Sequence, residues 1–269
     1  MASMMKHQLE ACKKHVNKFA AFVQRNSNMP FTSKHKLRIV VDGQTSGVNK
    51  LYMAAMKMLL GVRTTTPNSL CQIEIGIPEL KTTLLKRQEA FLRKFRQKSA
   101  GDEPLAHALN LVQREGMGQH LTDAAETVGD TELASLESIR RQCRQKAADG
   151  ATRYQTYLEM NPDLCVHSIY ENKEEYVPDS RRIAATRFRL SSHRLLVETG
   201  RWSRIPLENR VCACDATSVQ DETHVVLYCA RTAHLRALLT PPLNSVVDVF
   251  ALSNNVIANL CQDILNVFY

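Results

Sequence analysis

The stretch VCACDATSVQDETHVVLYC, Val211 to Cys229, gathers three cysteines and a histidine into nineteen residues of a 269-residue chain that holds eight cysteines in all. Cys212, Cys214, His224 and Cys229 read as Cys-x-Cys-x9-His-x4-Cys. Three thiolates and one imidazole are the ligand number and softness that a tetrahedral structural zinc prefers. The one-residue gap in the first pair is tighter than usual and demands a sharp turn. His224 and Cys229 lie five apart, so a regular helix would not put them on one face and a bend between them is required. His234 stands as far beyond Cys229 as Cys229 stands beyond His224 and is a competing ligand. Buried core thiols beside a surface histidine are the competing explanation of the whole cluster.

The remaining cysteines, Cys12, Cys71, Cys143, Cys165 and Cys261, are scattered singly on apolar or mixed segments, as expected of reduced thiols in an intracellular protein, nuclear or cytoplasmic. No apolar run reaches the roughly 18 residues of a membrane-spanning helix, and the first fifteen residues lack the apolar core of a secretory signal. No membrane partner is expected. Lys and Arg exceed Asp and Glu by eight, 35 against 27, which favours a polyanionic partner such as nucleic acid.

Outward from the cluster the apolar periodicity is helical. Leu9, Cys12, Val16, Phe19 and Val23 form a first stripe, and Leu51, Ala54, Ala55, Met58 and Leu59 a second that ends on Gly61, a residue suited to a left-handed cap. Thr66 and Pro67 open a short helix that closes near Gly76. Pro78 opens another, with Leu80, Leu84, Phe91, Leu92 and Phe95 on one face. On its other face, between Glu79 and Lys98, seven cations outnumber two carboxylates, with a solvated surface as the plain alternative to binding. The linkers SAGDEP, Ser99 to Pro104, and GMG, Gly116 to Gly118, introduce a middle third that reads as a helical spacer: Leu121 to Gln145, then Tyr154 to Tyr170 broken at Asn161 and Pro162.

From Val177 to Arg210 the chain carries eight arginines and no lysine. Arginine without lysine suits planar, bidentate phosphate recognition, and Phe188, His193 and Trp202 offer faces for bases to stack on. Pairing of these arginines with the acidic middle segment is the alternative. Val256, Ile257, Leu260, Ile264 and Phe268 predict a closing amphipathic helix. The expected architecture is mainly α: a small helical bundle in residues 1–98, a helical connector in 99–176, and a C-terminal metal-binding helical unit in 177–269, with one short strand at Thr223 to Tyr228.

Two blocks carry a family resemblance. LYMAAMKMLLGVRTTTPNSLCQIEIGIPEL, Leu51 to Leu80, contains Leu60, Gly61, Thr66, Pro67 and Asn68, then Glu74, Gly76 and Pro78. FRLSSHRLLVETGRWSRIPLENRVCAC, Phe188 to Cys214, is followed by DETHVVLYC. Together they resemble the region after the catalytic palm in reverse transcriptases of non-LTR (LINE-type) retrotransposons, the first block matching the thumb and the second the C-terminal zinc-binding segment. Asn26, Met29, Pro30 and Phe31 are similar to the family's palm-to-thumb join. The resemblance implies a structural Zn2+ on Cys212, Cys214, His224 and Cys229, demoting His234. It also implies RNA, DNA or hybrid as partner.

The family's Asp-Asp palm turn has no counterpart, for the chain contains no Asp-Asp pair, and where the family carries an apolar segment ending in Leu-Tyr-Gly-x-Glu-x-Trp stands IVVDGQTSG, Ile39 to Gly47. Without clustered carboxylates there is nowhere to hold the two metal ions of nucleotidyl transfer, so the chain is expected not to be an enzyme by itself. Signatures of other enzymes, His-Glu-x-x-His, a Walker A loop and Gly-x-Gly-x-x-Gly, are absent. The expected function is that of a nucleic-acid-binding remnant that grips template and primer phosphates. Lys86, Arg87, Arg93 and Lys94 would do so from the basic helix, and Arg187, Arg189, Arg194, Arg201 and Arg204 beside the metal site. Membership of a longer RNA-directed DNA polymerase, and a role as interaction scaffold or an unexpressed relic, are the alternatives.

Overall fold

The computed structural model describes residues 45–83, 131–171, 175–240 and 242–269, with single positions at 90, 93 and 97. The expected helix Leu9–Val23, the segment Asn26–Phe31, both linkers and most of the basic helix, Lys86, Arg87 and Lys94 included, lie outside the described residues. Within them the fold is mainly helical, as the periodicity predicts, and no helix is long and apolar enough to cross a membrane. The chain divides into two compact units, residues 1–75 with 142–269, and residues 76–141. In the smaller unit a helix begins at Leu80, two residues after Pro78. Ile77, Leu80 and Ile139 are buried, and the Glu79 N–H donates to Ser135 Oγ at 3.3 Å.

In the larger unit, α1 (Thr45–Leu60) buries Met53, Ala55, Met56, Leu59 and Leu60. Ala54 and Met58, expected on the buried stripe, face solvent. The stripe is rotated because Lys57, which sequence marks as polar, lays its stem inward and donates its ammonium to the Thr64 carbonyl at 2.7 Å. Gly61 closes α1 in the left-handed region, φ +68°, with Val62 N–H bonded to Lys57 O at 3.0 Å and Gly61 N–H to Met58 O at 3.1 Å. That is a Schellman cap. A Cβ on Gly61 would also stand 2.6 Å from Ile183, so glycine is required twice over. α2 (Asn68–Ile75) follows the Thr66–Pro67 turn and ends at Gly76, φ +65°.

α3 (Thr131–Ala148) leads through Gly150 into α4 (Thr152–Met160), and α5 (Ser168–Glu171) follows the break at Asn161. The stretch expected as a spacer supplies core instead: Tyr157 is fully buried, and Tyr154, Met160, Leu164 and Tyr170 nearly so. At the centre runs α6 (Asp179–Arg189), packed against α1 and against the closing helix α10 (Asn254–Phe268), which follows the short α9 (Val246–Phe250). α10 buries Ile257, Leu260 and Ile264 as predicted, while Val256 and Phe268 stay partly in solvent. Glu175 receives the Asn254 and Asn255 N–H groups at the start of α10, at 3.2 and 2.9 Å, where a carboxylate meets the positive end of the helix dipole.

Three helices meet at one buried ion pair. Arg189 of α6 donates through Nε to Glu74 Oε1 at 2.8 Å and through a terminal nitrogen to Oε2 at 3.0 Å, with both side chains out of water. Tyr157 of α4 donates its hydroxyl to Glu74 Oε2 at 2.8 Å, and Asn161 donates to that hydroxyl at 3.1 Å. Arg189 is therefore a corrected expectation: it cannot meet a phosphate, because its guanidinium is consumed inside the core. Replacing it by alanine strands a buried carboxylate, and an urea titration should show a loss of about 3–5 kcal/mol. Arg181→Ala, on the exposed side of the same helix, should stay within about 0.5 kcal/mol.

Candidate metal centre

The approach to the cysteine cluster is held from behind by a second buried network. After α6 the chain turns through Ser191, which takes a left-handed φ of +46°, a conformation costing a non-glycine residue about 1–2 kcal/mol. Its hydroxyl donates to Glu222 Oε1 at 2.6 Å, and His193 Nε2 meets the same oxygen at 2.8 Å. The Leu195 N–H points at His193 Nδ1 at 3.3 Å, so Nε2 is the ring nitrogen that donates to Glu222. Burial alone would raise the Glu222 carboxyl; His193 and Ser191 more than offset it and hold it below the ordinary value. All three side chains are sealed from solvent, so this serine, histidine and glutamate form a brace and not a reaction centre.

From that brace α7 (Leu196–Trp202) leads through Leu207–Asn209, a 3-10 turn, to the first ligands. Val211 and Val219 pair as an isolated antiparallel bridge, and Cys212 N–H bonds to Ser218 O at 2.7 Å and Ala216 N–H to Cys212 O at 2.9 Å. Asp215 Oδ1 accepts from the Thr217 and Ser218 N–H groups, and Ala216 adopts φ +57°. This is the sharp turn the Cys-x-Cys gap demands: it brings the thiols of Cys212 and Cys214 to the same side.

The required bend between His224 and Cys229 is also present, and it corrects the expected strand. Val225, Val226 and Tyr228 favour extended structure, yet His224–Tyr228 forms one turn of π-helix closed by Cys229 N–H to His224 O at 2.8 Å. That five-residue bond adds one residue to an ordinary helical turn, and such turns recur at functional sites. Asp221 Oδ1 accepts from the His224 N–H at 2.8 Å and stops the turn from unwinding at its start.

Cys212, Cys214, His224 and Cys229 thus converge, with one ligand atom from each lying within 4.8 Å of every other. Cys212 Sγ is 3.7 Å from Cys229 Sγ, far beyond a disulfide bond, and Cys214 Sγ is 3.2 Å from His224 Nε2. A tetrahedral ion with bonds of about 2.3 Å to sulfur and about 2.0 Å to nitrogen sets S···S edges of about 3.8 Å and S···N edges of about 3.5 Å. The donors therefore fit a metal ion. His234, the competing ligand, is exposed on α8 (Ala233–Arg236) and outside the cluster.

Cys212 differs from the chain's structural cysteines in the direction metal binding favours, whereas desolvation and the neighbouring Cys212 and Cys229 sulfurs push the Cys214 thiol up to about 11. Burial pushes the Cys71 and Cys261 thiols up to about 12, where they are inert. At Cys212 burial also opposes ionisation, but the Cys214 N–H, the Gln220 amide and the neighbouring Cys214 and His224 side chains outweigh it, and the thiol falls to about 7. Sequence reasoning missed Gln220. Its Nε2 points at Cys212 Sγ at 3.6 Å, its Oε1 accepts the Leu196 N–H at 2.9 Å, and its carbonyl accepts the Val197 N–H at 3.1 Å. It ties a ligand sulfur to the first turn of α7. Beyond the last ligand, Arg236 donates to the Cys229 carbonyl at 2.9 Å.

The arginines before the cluster divide into two sets. Arg182, buried, donates to the Leu59 carbonyl, and Arg210 donates to the Val197 and Ile205 carbonyls across Gly200, where a Cβ would clash with its stem at 2.7 Å. Arg201, a predicted phosphate contact, is held at 3.1 Å by Glu198, a buried carboxylate that Arg153 also grips. Arg187, Arg194 and Arg204, and Arg93 of the other unit, are exposed as expected. The distinction had a signal: Arg182 and Arg189 are spaced seven apart with Ala185 and Thr186 between, the rhythm of one buried helical face.

No protein-family model, curated protein or solved structure matches the chain. The case for a metal centre accordingly rests on the donor geometry. Cys229→Ser should abolish retention of metal through gel filtration, whereas His234→Ala should leave it intact, as read by elemental analysis of the eluted protein.

Proposed function

We propose that this chain is a nucleic-acid-binding segment of the kind found after the palm of non-LTR retrotransposon reverse transcriptases, gripping phosphate backbones and performing no chemistry by itself. The observation that carries the reading is the convergence of Cys212, Cys214, His224 and Cys229, whose order and spacing resemble that family's zinc segment. Three thiolates and an imidazole suit Zn2+ above other common divalent ions, and a closed four-ligand set leaves no open position for a substrate, so the ion's role is structural.

Support for the partner class comes from the surplus of eight positive charges and from the guanidiniums left in solvent around the metal unit, Arg187, Arg194 and Arg204. Arg93 adds to them in its own unit. Lys86, Arg87 and Lys94 enter the proposal on sequence alone. Arg201 is spent on Glu198 and contributes field rather than a contact. Such contacts hold a backbone and carry little sequence information.

Purified protein should contain about one zinc per chain. Its affinity for labelled RNA, DNA and hybrid oligonucleotides should fall steeply between about 50 and 200 mM salt, with weak sequence preference. Arg187→Ala and Arg194→Ala should each lower the slope of log affinity against log salt by about one. Undetectable binding at the lower salt would reduce the positive surplus to a matter of solubility and overturn the reading.

A further inference from the structure

Trp202 is the chain's single tryptophan, and it stands at the end of α7 with half its surface, 51%, in solvent. A half-exposed indole on a well-packed helix invites an explanation, since its burial would be favourable. One face is taken: the Arg63 guanidinium lies 3.8 Å from the ring centroid. Arg63 is fixed in that position by two bonds to the loop after α6, its N–H to Ser192 Oγ at 2.9 Å and a terminal nitrogen to the His193 carbonyl at 2.6 Å. Half of the indole thus remains in solvent, with a braced cation on one face.

A second aromatic is presented nearby in the same manner. Tyr269, 53% exposed, accepts the Arg194 N–H on its hydroxyl at 2.6 Å, and the Arg194 guanidinium sits 5.6 Å from its ring. The Tyr269 phenol is raised by burial against the pull of the Arg194 N–H and the charges of Arg63, Arg187 and Arg194. Arg187 is itself anchored, Nε to the Gly61 carbonyl at 2.6 Å, and keeps its remaining donors outward. The Gly61–Arg63 turn and the Ser192–Arg194 loop thus hold cations against two half-exposed aromatic rings.

We infer that the surface formed by Trp202, Tyr269, Arg187 and Arg194, with Arg63 backing the indole, binds unpaired nucleotides, stacking bases on the two rings while Arg187 and Arg194 meet the flanking phosphates. The inference rests on the nucleic-acid reading above and names the strand state that this part of the molecule takes. Paired bases present only groove edges and backbone, whereas an unstacked base presents its π-face, and every base has one. Arginine backing an indole also strengthens it as a platform, because the guanidinium is planar and weakly hydrated. A duplex would find the phosphate contacts here but nothing for the rings.

The test uses the full chain loaded with metal and its own indole as reporter. Titration with an unlabelled single strand should quench Trp202 emission, while a duplex of the same sequence should bind with little quenching. Trp202→Leu should weaken single-strand binding about tenfold and change duplex binding by less than about twofold, and Trp202→Phe should recover most of the loss. Binding of single strands with neither quenching nor an effect of Trp202→Leu would overturn this inference and leave the broader reading standing. Absence of binding to every oligonucleotide at low salt would overturn both. If Trp202→Leu fails to retain its metal, the quenching of the unaltered protein decides the question alone.

Discussion

The structure depends on a buried ion pair. Arg189 and Glu74 lie 115 residues apart in sequence and meet with no water between them, and Tyr157 completes the carboxylate's shell. Removing two such charges from water costs several kcal/mol per ion, recovered only where geometry and hydrogen bonding are complete. Here they are: both carboxylate oxygens and the guanidinium edge are engaged. An incomplete version would be worse than an apolar contact, so α2, α4 and α6 have one acceptable mutual position. Because α6 is also the helix packed on α1 and α10, that position propagates through the larger unit.

From the end of α6 the constraint passes to the metal centre through polar groups rather than apolar contacts. Ser191 and His193 catch Glu222, Ser192 catches Arg63, and Gln220 joins the Cys212 sulfur to α7. The cation stacked on Trp202 and a cysteine ligand are thus separated by few rigid steps. A metal at this centre would stabilise the arrangement of the loop and helix in addition to its own knuckle, since binding energy at a site absent from the unfolded chain is folding energy.

The described helices, the Gly61 cap and the four clustered donors are legible in the sequence because each is a local pattern: a period, a positive-φ residue at a stripe's end, a spacing of soft donors. The fate of each arginine was harder to read. Arg187 and Arg189 stand two apart on one helix, and one is solvated while the other is the core's central charge. Only a partner more than a hundred residues away distinguishes them, although the seven-residue rhythm with Arg182 hinted at it. The middle segment misled for a related reason: its polar composition conceals Tyr154 and Tyr157, whose hydroxyls are buried against Ser69 and Glu74. At His224–Tyr228 the β-branched pair suggested a strand, and the backbone chose a wide helical turn because Cys229 had to come back to His224.

That wide turn makes the length of the segment matter more than most of its side chains. Tyr228 points into solvent and Leu227 is half-buried, so their identities are loosely constrained. A π turn, however, is a helical turn carrying one supernumerary residue. Gain of a single codon between His224 and Cys229 would exceed what one such turn can close and carry the last sulfur roughly a quarter-turn past its companions. Divergence among descendants of this gene should therefore accumulate by replacement at Leu227 and Tyr228 and almost never by insertion between the two donors.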